Sequence, residues 1–196
     1  MAQNIEIEFK NIITKHEFIK LIDHFQLNDN DFFIQENHYF DTADFSLKEN
    51  GCALRIRQKN DNYELTLKQP HQDGLLETNE ALNAGSAEEM FQNGKLSNET
   101  IRTLIEKMHI NPNAIQYFGS LTTKRAEIEY KQGLVVLDNS FYLNKEDFEI
   151  EYEVSNRKKG QSIFAALLLQ LEIPIRETEN KIKRFYNEKK NQQGRF

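Results

Sequence analysis

Five stretches of this chain alternate between charged and apolar residues, so any fold it adopts must cover five apolar faces. IEIEFK at 5–10 sets Glu6, Glu8 and Lys10 against Ile5, Ile7 and Phe9. LRIR sets Arg55 and Arg57 against Leu54 and Ile56, and ELTLK sets Glu64, Thr66 and Lys68 against Leu65 and Leu67. In KRAEIEY, Arg125, Glu127 and Glu129 alternate with Ala126, Ile128 and Tyr130. In FEIEYEV, Glu149, Glu151 and Glu153 alternate with Phe148, Ile150, Tyr152 and Val154. Successive side chains on a strand point to opposite faces, so each stretch reads as a strand with one apolar and one charged side.

Two architectures cover such faces. An open sheet or sandwich buries the apolar sides and shows the charges to water, which is the ordinary use of an alternating strand and what periodicity alone favours. A barrel instead turns the charges inward and covers its apolar outer wall with helices. Buried Arg, Lys and Glu are costly unless ligands and ions compensate them. Solvated strand faces usually carry Thr, Ser and Gln, whereas acids and guanidiniums dominate here, which favours the inward, functional arrangement.

The rest of the chain fits one folded domain over 1–196, with a polar tail from about residue 186 expected to fray. Fourteen Phe and seven Tyr argue against disorder, and a net charge of -6 speaks against a general nucleic-acid or membrane-surface binder. Cys52 is the only cysteine and the five histidines are scattered, so neither a disulfide nor a Cys/His metal site is expected. The start lacks a signal-peptide layout and the longest apolar run, IFAALLL at 163–169, is too short to span a bilayer, so a cytoplasmic protein is expected.

Helices are expected at entry, centre and exit of a strand-rich chain, an α+β pattern. Thr14 and Glu17 have capping-box spacing before a helix with Phe18, Leu21, Ile22 and Phe25 on one side. Ser86 and Glu89 are expected to cap a short helix, NETIRTLIEKMHI and KKGQSIFAALLLQLEI read as two more, and Thr178 is expected to cap a last one. FFIQENHYFDT, LLETNEAL and GLVVLDNSFYL add strands to the five above. Tyr39 and Phe40 are expected to be packing aromatics.

If the charged faces converge, Arg55, Arg57, Lys68, Arg125 and a tail lysine offer donors suited to phosphate oxygens. Glu6, Glu8, Glu149 and Glu151, with Asp138 from VLDNS, offer hard oxygens suited to Mg²⁺ or Mn²⁺. Cations for phosphate beside anions for a bridging metal suggest phosphoryl-transfer chemistry. The chain has no Walker-type GxxxxGK[ST] and no glycine-rich fingerprint.

In this order the segments resemble the CYTH domain proteins, also called triphosphate tunnel metalloenzymes. The signature ExExK stands at Glu6, Glu8 and Lys10; HYFDT, LRIR, ELTLK, TKRAE, VLDNS and FEIEYE follow in sequence. The likeness runs from residue 5 to about 185 and is strongest to the stand-alone bacterial branch labelled YjbK-like. It implies a closed eight-stranded antiparallel barrel, a tunnel with a charged lumen and flanking helices. It also implies a divalent cation, Mg²⁺ or Mn²⁺, and a small-molecule triphosphate substrate. Phosphate would be bound by Lys10, Arg55, Arg57, Lys68, Arg125 and Lys181, and metal by Glu6, Glu8, Asp138, Glu149 and Glu151. Glu153 is the alternative to the late pair, and Lys183 and Arg184 are alternatives to Lys181. Glu64, Glu77, Glu80 and Glu127 read as either ligands or salt-bridge partners. The implied activity is hydrolysis of inorganic or organic triphosphate; a cyclase-type phosphorus–oxygen lyase or a non-catalytic polyphosphate or nucleotide binder is the alternative. No residue is assigned as a catalytic base, and the oligomeric state stays open, a homodimer included.

Overall fold

A computed structural model describes residues 2–193. Its strands are β1 (Ala2–Ile13), β2 (Phe32–Asp41), β3 (Ala53–Lys59), β4 (Asn62–His71), β5 (Gly74–Leu82), β6 (Gln116–Tyr130), β7 (Gly133–Tyr142) and β8 (Lys145–Val154). They close into one antiparallel barrel in the order β1-β5-β4-β3-β2-β6-β7-β8, the tunnel architecture and not the sandwich. The helices are α1 (Lys15–Phe25), α2 (Ser46–Glu49), α3 (Ala84–Asn93), α4 (Glu99–Lys107), α5 (Arg157–Gln170) and α6 (Lys181–Gln193). None is long and apolar enough to cross a membrane.

The chain divides into two compact units built from interleaved segments: Met1–Ile5 with Gln35–Ser120, and Glu6–Ile34 with Leu121–Phe196. In the first, the apolar sides of β3 and β4 (Leu54, Ile56, Leu65, Leu67) pack on Leu47 of α2, Ala87 and Met90 of α3, and Ile101 and Ile105 of α4. In the second, Val135, Leu137, Ile150 and Tyr152 of β7 and β8 pack on Phe18 and Leu21 of α1 and on Phe164, Leu167 and Leu168 of α5. Helices thus cover the apolar face in each unit, which leaves the charged face of each strand to the barrel interior. Gly160 lets α5 lie close to the sheet, because a Cβ there would come within 2.6 Å of Val154. The hairpins after β6 and β7 turn through residue pairs with positive φ, Lys131–Gln132 and Leu143–Asn144, the twist-matched geometry of a tight two-residue connection.

Local chemistry departs from the sequence reading in four places. The capping box of Thr14 and Glu17 forms, but α3 is capped by Asn83, whose side chain accepts from Ser86 N, and not by Ser86. Thr178 does not cap α6; its hydroxyl accepts from Ile12 N at 2.7 Å and so ties the approach segment to β1. The polar stretch from 186, expected to fray, continues α6 as far as Gln193; 194–196 lie outside the described residues. The short helix α2, unforeseen, exists because the buried Asp41 accepts from Leu47 N (2.9 Å) and Lys48 N (3.2 Å).

Candidate active site

In the second unit the strand register itself gathers the charges. Arg125 of β6 lies opposite Asp138 of β7, and Asp138 lies opposite Glu149 of β8. On the other side of β8, Lys10 pairs with Glu151 and Glu8 with Glu153. Cross-strand partners share a face, so alternation places all of them on one surface. Arg125 grips Asp138 with two bonds (Nε–Oδ1 2.7 Å, Nη2–Oδ2 2.6 Å) and reaches Glu151 Oε2 at 3.1 Å. Lys10 contacts Glu8 and donates to Asn180 Oδ1 at 2.6 Å.

The last helix completes the group. The segment before α6 is strapped down by Asn11, which is fully buried and bonds both Pro174 O (3.0 Å) and Arg176 N (2.6 Å), and by a two-bond Arg176–Glu17 pair. Lys181, the first residue of α6, thereby inserts its ammonium between three carboxylates: Glu151 Oε1 at 2.5 Å, Asp138 Oδ2 at 2.8 Å and Glu149 Oε2 at 3.2 Å. One turn on, Arg184 donates to Glu149 Oε2 (2.5 Å) and Asp147 Oδ2 (3.0 Å), and the Tyr142 hydroxyl also donates to Asp147 Oδ2. Lys183 points elsewhere and pairs with Glu179.

Burial alone would lower the pKa of Lys181 and of Arg125 and raise that of Glu151. The neighbouring opposite charges prevail: both cations are held above their usual range and Glu151 well below its own. Glu153 behaves oppositely. Burial pushes its carboxyl up to about 7, and Glu151, Glu6 and Glu8 add to that rise against the opposing pull of Arg125. Carboxylates outnumber cations at this end of β1 and β8.

The first unit carries a different mixture. Lys68 of β4 lies opposite Glu77 of β5 and pairs with it at 2.6 Å, with Arg55 Nη2 3.7 Å from the same oxygen. Burial would raise the Glu77 pKa, but Lys68 and Arg55 bring it down to about 2. Arg57 donates from Nε to Asn37 Oδ1 at 3.1 Å. Tyr39 lies opposite Arg55 and is buried outside the apolar cluster, so it belongs to the charged face, whereas Phe40 packs in the core as expected. Glu64 is exposed, Glu80 lies opposite Leu65 on the other face, and the Glu127 side chain is 40% exposed, 3.9 Å from Arg125. Of these four glutamates, Glu77 is the buried salt-bridge partner.

The carboxylates of the second unit have the donor chemistry of a hard-cation site, and Glu149 Oε1 is buried with no hydrogen-bond partner. Yet among the described residues no three or more His, Cys, Asp or Glu side chains stand arranged as a ready metal cage. Lys181 and Arg125 take that place. Sequence reasoning passed over Asp147, Tyr142, Asn37 and Asn180. The available signal was Asp147, which continues the alternation of Glu149, Glu151 and Glu153 by one step.

Comparison with known proteins identifies the family and the fold. The CYTH domain profile matches residues 4–186. The chain belongs to the CYTH family. Its CYTH relatives include YjbK of Bacillus subtilis (strain 168), a candidate triphosphatase 51% identical over 190 residues, which span 97% of this chain and 98% of that protein. A candidate adenylate cyclase from Bacillus halodurans superposes with a TM-score of 0.91 at 40% identity, covering 95% of this chain and all of that one. HpAC1 from Hippeastrum, a candidate adenylyl cyclase with a dominant triphosphatase activity, shares the fold at a TM-score of 0.77 and 22% identity, over 93% of this chain and 96% of that one.

Proposed function

We propose that this CYTH protein is a metal-dependent phosphohydrolase that cleaves inorganic triphosphate or an organic triphosphate held in its charged barrel. The observation that carries the reading is the convergence of Asp138, Glu149 and Glu151 on one buried ammonium beside a bidentate arginine. A protein keeps so many buried charges at a cost, and phosphate with its counter-metal is the ligand class that uses both signs. Glu6, Glu8, Asp138, Glu149 and Glu151 would hold Mg²⁺ or Mn²⁺; Glu153, beside Glu6 and Glu8, joins them as a candidate. Bound there, the ion neutralises phosphate charge and acidifies a water. Arg55, Arg57 and Lys68 would bind and orient phosphate oxygens, with Lys10, Arg125 and Lys181 completing the cationic set. The same reading puts the protein in the cytoplasm with a small-molecule partner, and not with nucleic acid or membrane.

The likeness to YjbK supports hydrolysis. The likeness to the Bacillus halodurans protein supports a second reading, a lyase that forms a cyclic nucleotide. One panel separates them: inorganic triphosphate, thiamine triphosphate, ATP and GTP, each with Mg²⁺ and Mn²⁺, with phosphate and cyclic nucleotide both quantified. Hydrolysis predicts phosphate release and no cyclic product. Cyclic AMP with pyrophosphate from ATP would establish the lyase, and no turnover of any member would leave only a binding role.

A further inference from the structure

The tip of Lys181 sits where a cation held by these carboxylates would sit. An ammonium has three N–H donors, and here each of three carboxylates places an oxygen within 3.2 Å of the nitrogen: one from β7 (Asp138) and two from β8 (Glu149 and Glu151). The side chain is largely buried, at 12% exposure, and Asp138 is fully so. These partners are anchored independently of the lysine. Asp138 is gripped by both donors of Arg125, and Glu149 by Arg184. Their positions therefore do not rest on Lys181 alone, and Glu149 Oε1 still has an unused buried lone pair. Lys181 itself comes from α6, a separate element whose approach segment is tied to β1 through Thr178 and Asn11.

We infer that Lys181 is a built-in occupant of the metal position: its ammonium neutralises the Asp138–Glu149–Glu151 group in the metal-free protein and must leave for a divalent cation to enter. This rests on the reading of those carboxylates as metal ligands and adds a competition to it. Two cations cannot share one set of oxygens at coordination distance, about 2.0–2.6 Å for Mg²⁺ or Ca²⁺-like ions. Metal alone therefore binds against the lysine. A triphosphate offers the displaced ammonium a new anionic partner, so substrate and metal assist each other through one side chain. The buried carboxylates meanwhile remain compensated at every stage.

The test is binding of Mn²⁺ alone, without any phosphate, to the full-length protein by calorimetry. The proteins compared are wild type, Lys181→Met, Lys181→Gln, Lys10→Met and Glu151→Gln. The proposal predicts that Lys181→Met and Lys181→Gln each bind Mn²⁺ about tenfold or more tightly than wild type. Lys10→Met removes a cation from the same face without emptying the position, and should give a clearly smaller gain. Equal gains at Lys10 and Lys181 would reduce the effect to the general field and overturn the proposal, as would unchanged or weaker binding in both Lys181 variants. If wild type and the Lys181 variants all bind no Mn²⁺, or Glu151→Gln binds as wild type does, the metal-ligand reading itself fails.

A second readout needs no variant that could misfold. With lysine labelled by ¹⁵N, the buried Lys181 ammonium should give a slowly exchanging Nζ signal in metal-free wild-type protein. That signal should shift or exchange away on saturation with diamagnetic Mg²⁺. An Nζ signal that persists unchanged at saturation means that the lysine and the metal do not compete.

Discussion

The two compact units put charge on the same side of their strands but in opposite proportions. In the first, Lys68 and Arg55 flank the buried Glu77, whose carboxyl is driven down to about 2, and Arg57 bonds Asn37 on β2. In the second, Lys10, Arg125, Lys181 and Arg184 stand among Glu6, Glu8, Asp138, Asp147, Glu149, Glu151 and Glu153, and Glu153 is driven up to about 7. Glu77 falls because Lys68 and Arg55 outweigh its burial, whereas Glu153 rises first because it is buried and then because Glu151, Glu6 and Glu8 lie near it. Under the proposed function, the two mixtures would serve two different tasks, holding phosphate and holding a cation.

The sharpest way to break this division is to neutralise the acidic unit. Glu151→Gln leaves Arg125 and Lys181 each short of a buried partner, so the metal-free variant should lose about 3–5 kcal/mol of stability, read as a fall in the urea midpoint. Turnover should be crippled in Glu8→Gln and Glu151→Gln alike, and the double variant should be little worse than the worse single, because both act on one function. Small additive effects on rate would mean that these are ordinary strand-face glutamates.

Arg57→Ala attacks the other unit. It should cost about 2–5 kcal/mol in kcat/KM, as for truncation of a charged contact to a ligand, while the Mg²⁺ concentration for half-maximal rate stays near that of wild type. Arg102→Ala provides the contrast. Arg102 bonds Leu96 O and Asn113 Oδ1 and so joins α4 to the following turn; its loss should lower stability by about 1 kcal/mol and spare kcat/KM. A matching loss of kcat/KM at both arginines would show that Arg57 acts through folding.

A pH titration sharpens the comparison further. The Glu77 carboxyl lies at about 2 in the folded chain against an ordinary value of about 4.3, so the folded state binds fewer protons between those values. Its pairing stabilises the protein fully above about pH 4.5 and is lost as the pH falls through about 2, a change of about 3 kcal/mol. Denaturant midpoints of wild type and Glu77→Gln should converge over that interval, and parallel curves would contradict the assignment. The smallest expected effect is at Glu153. In metal-free protein near neutral pH, Glu153→Gln should stabilise by about 1 kcal/mol, since it removes the cost of burying a charge there and, secondarily, the repulsion from Glu151, Glu6 and Glu8. Destabilisation would remove the claim of excess negative charge there.

Much of this was readable from period-two alternation. The register Arg125–Asp138–Glu149 follows once strands with alternating faces pair, and the same alternation puts Lys68 beside Glu77. Periodicity could not choose between barrel and sandwich, because both cover an apolar face; the kinds of charge on the other face made that choice. What stayed hidden depends on contacts distant in sequence or on local competition. Thr178 has every property of an N-cap, but a β1 amide 166 residues away takes its hydroxyl. Asn83 outcompetes Ser86 because its carbonyl reaches the Ser86 amide. Arg184 looked interchangeable with Lys181, yet both belong to the site, since residues three apart on α6 present to the same side.

The most direct measurement of the central claim is the initial rate of phosphate release from inorganic triphosphate over a grid of Mg²⁺ and triphosphate concentrations. Wild type, Glu151→Gln and Arg57→Ala would be compared. Rates should vanish in excess chelator for wild type, Glu151→Gln should demand far more Mg²⁺ at any triphosphate concentration, and Arg57→Ala should demand more triphosphate at saturating Mg²⁺. Full activity in chelator, or two variants displaced along the same axis by the same amount, would contradict the account.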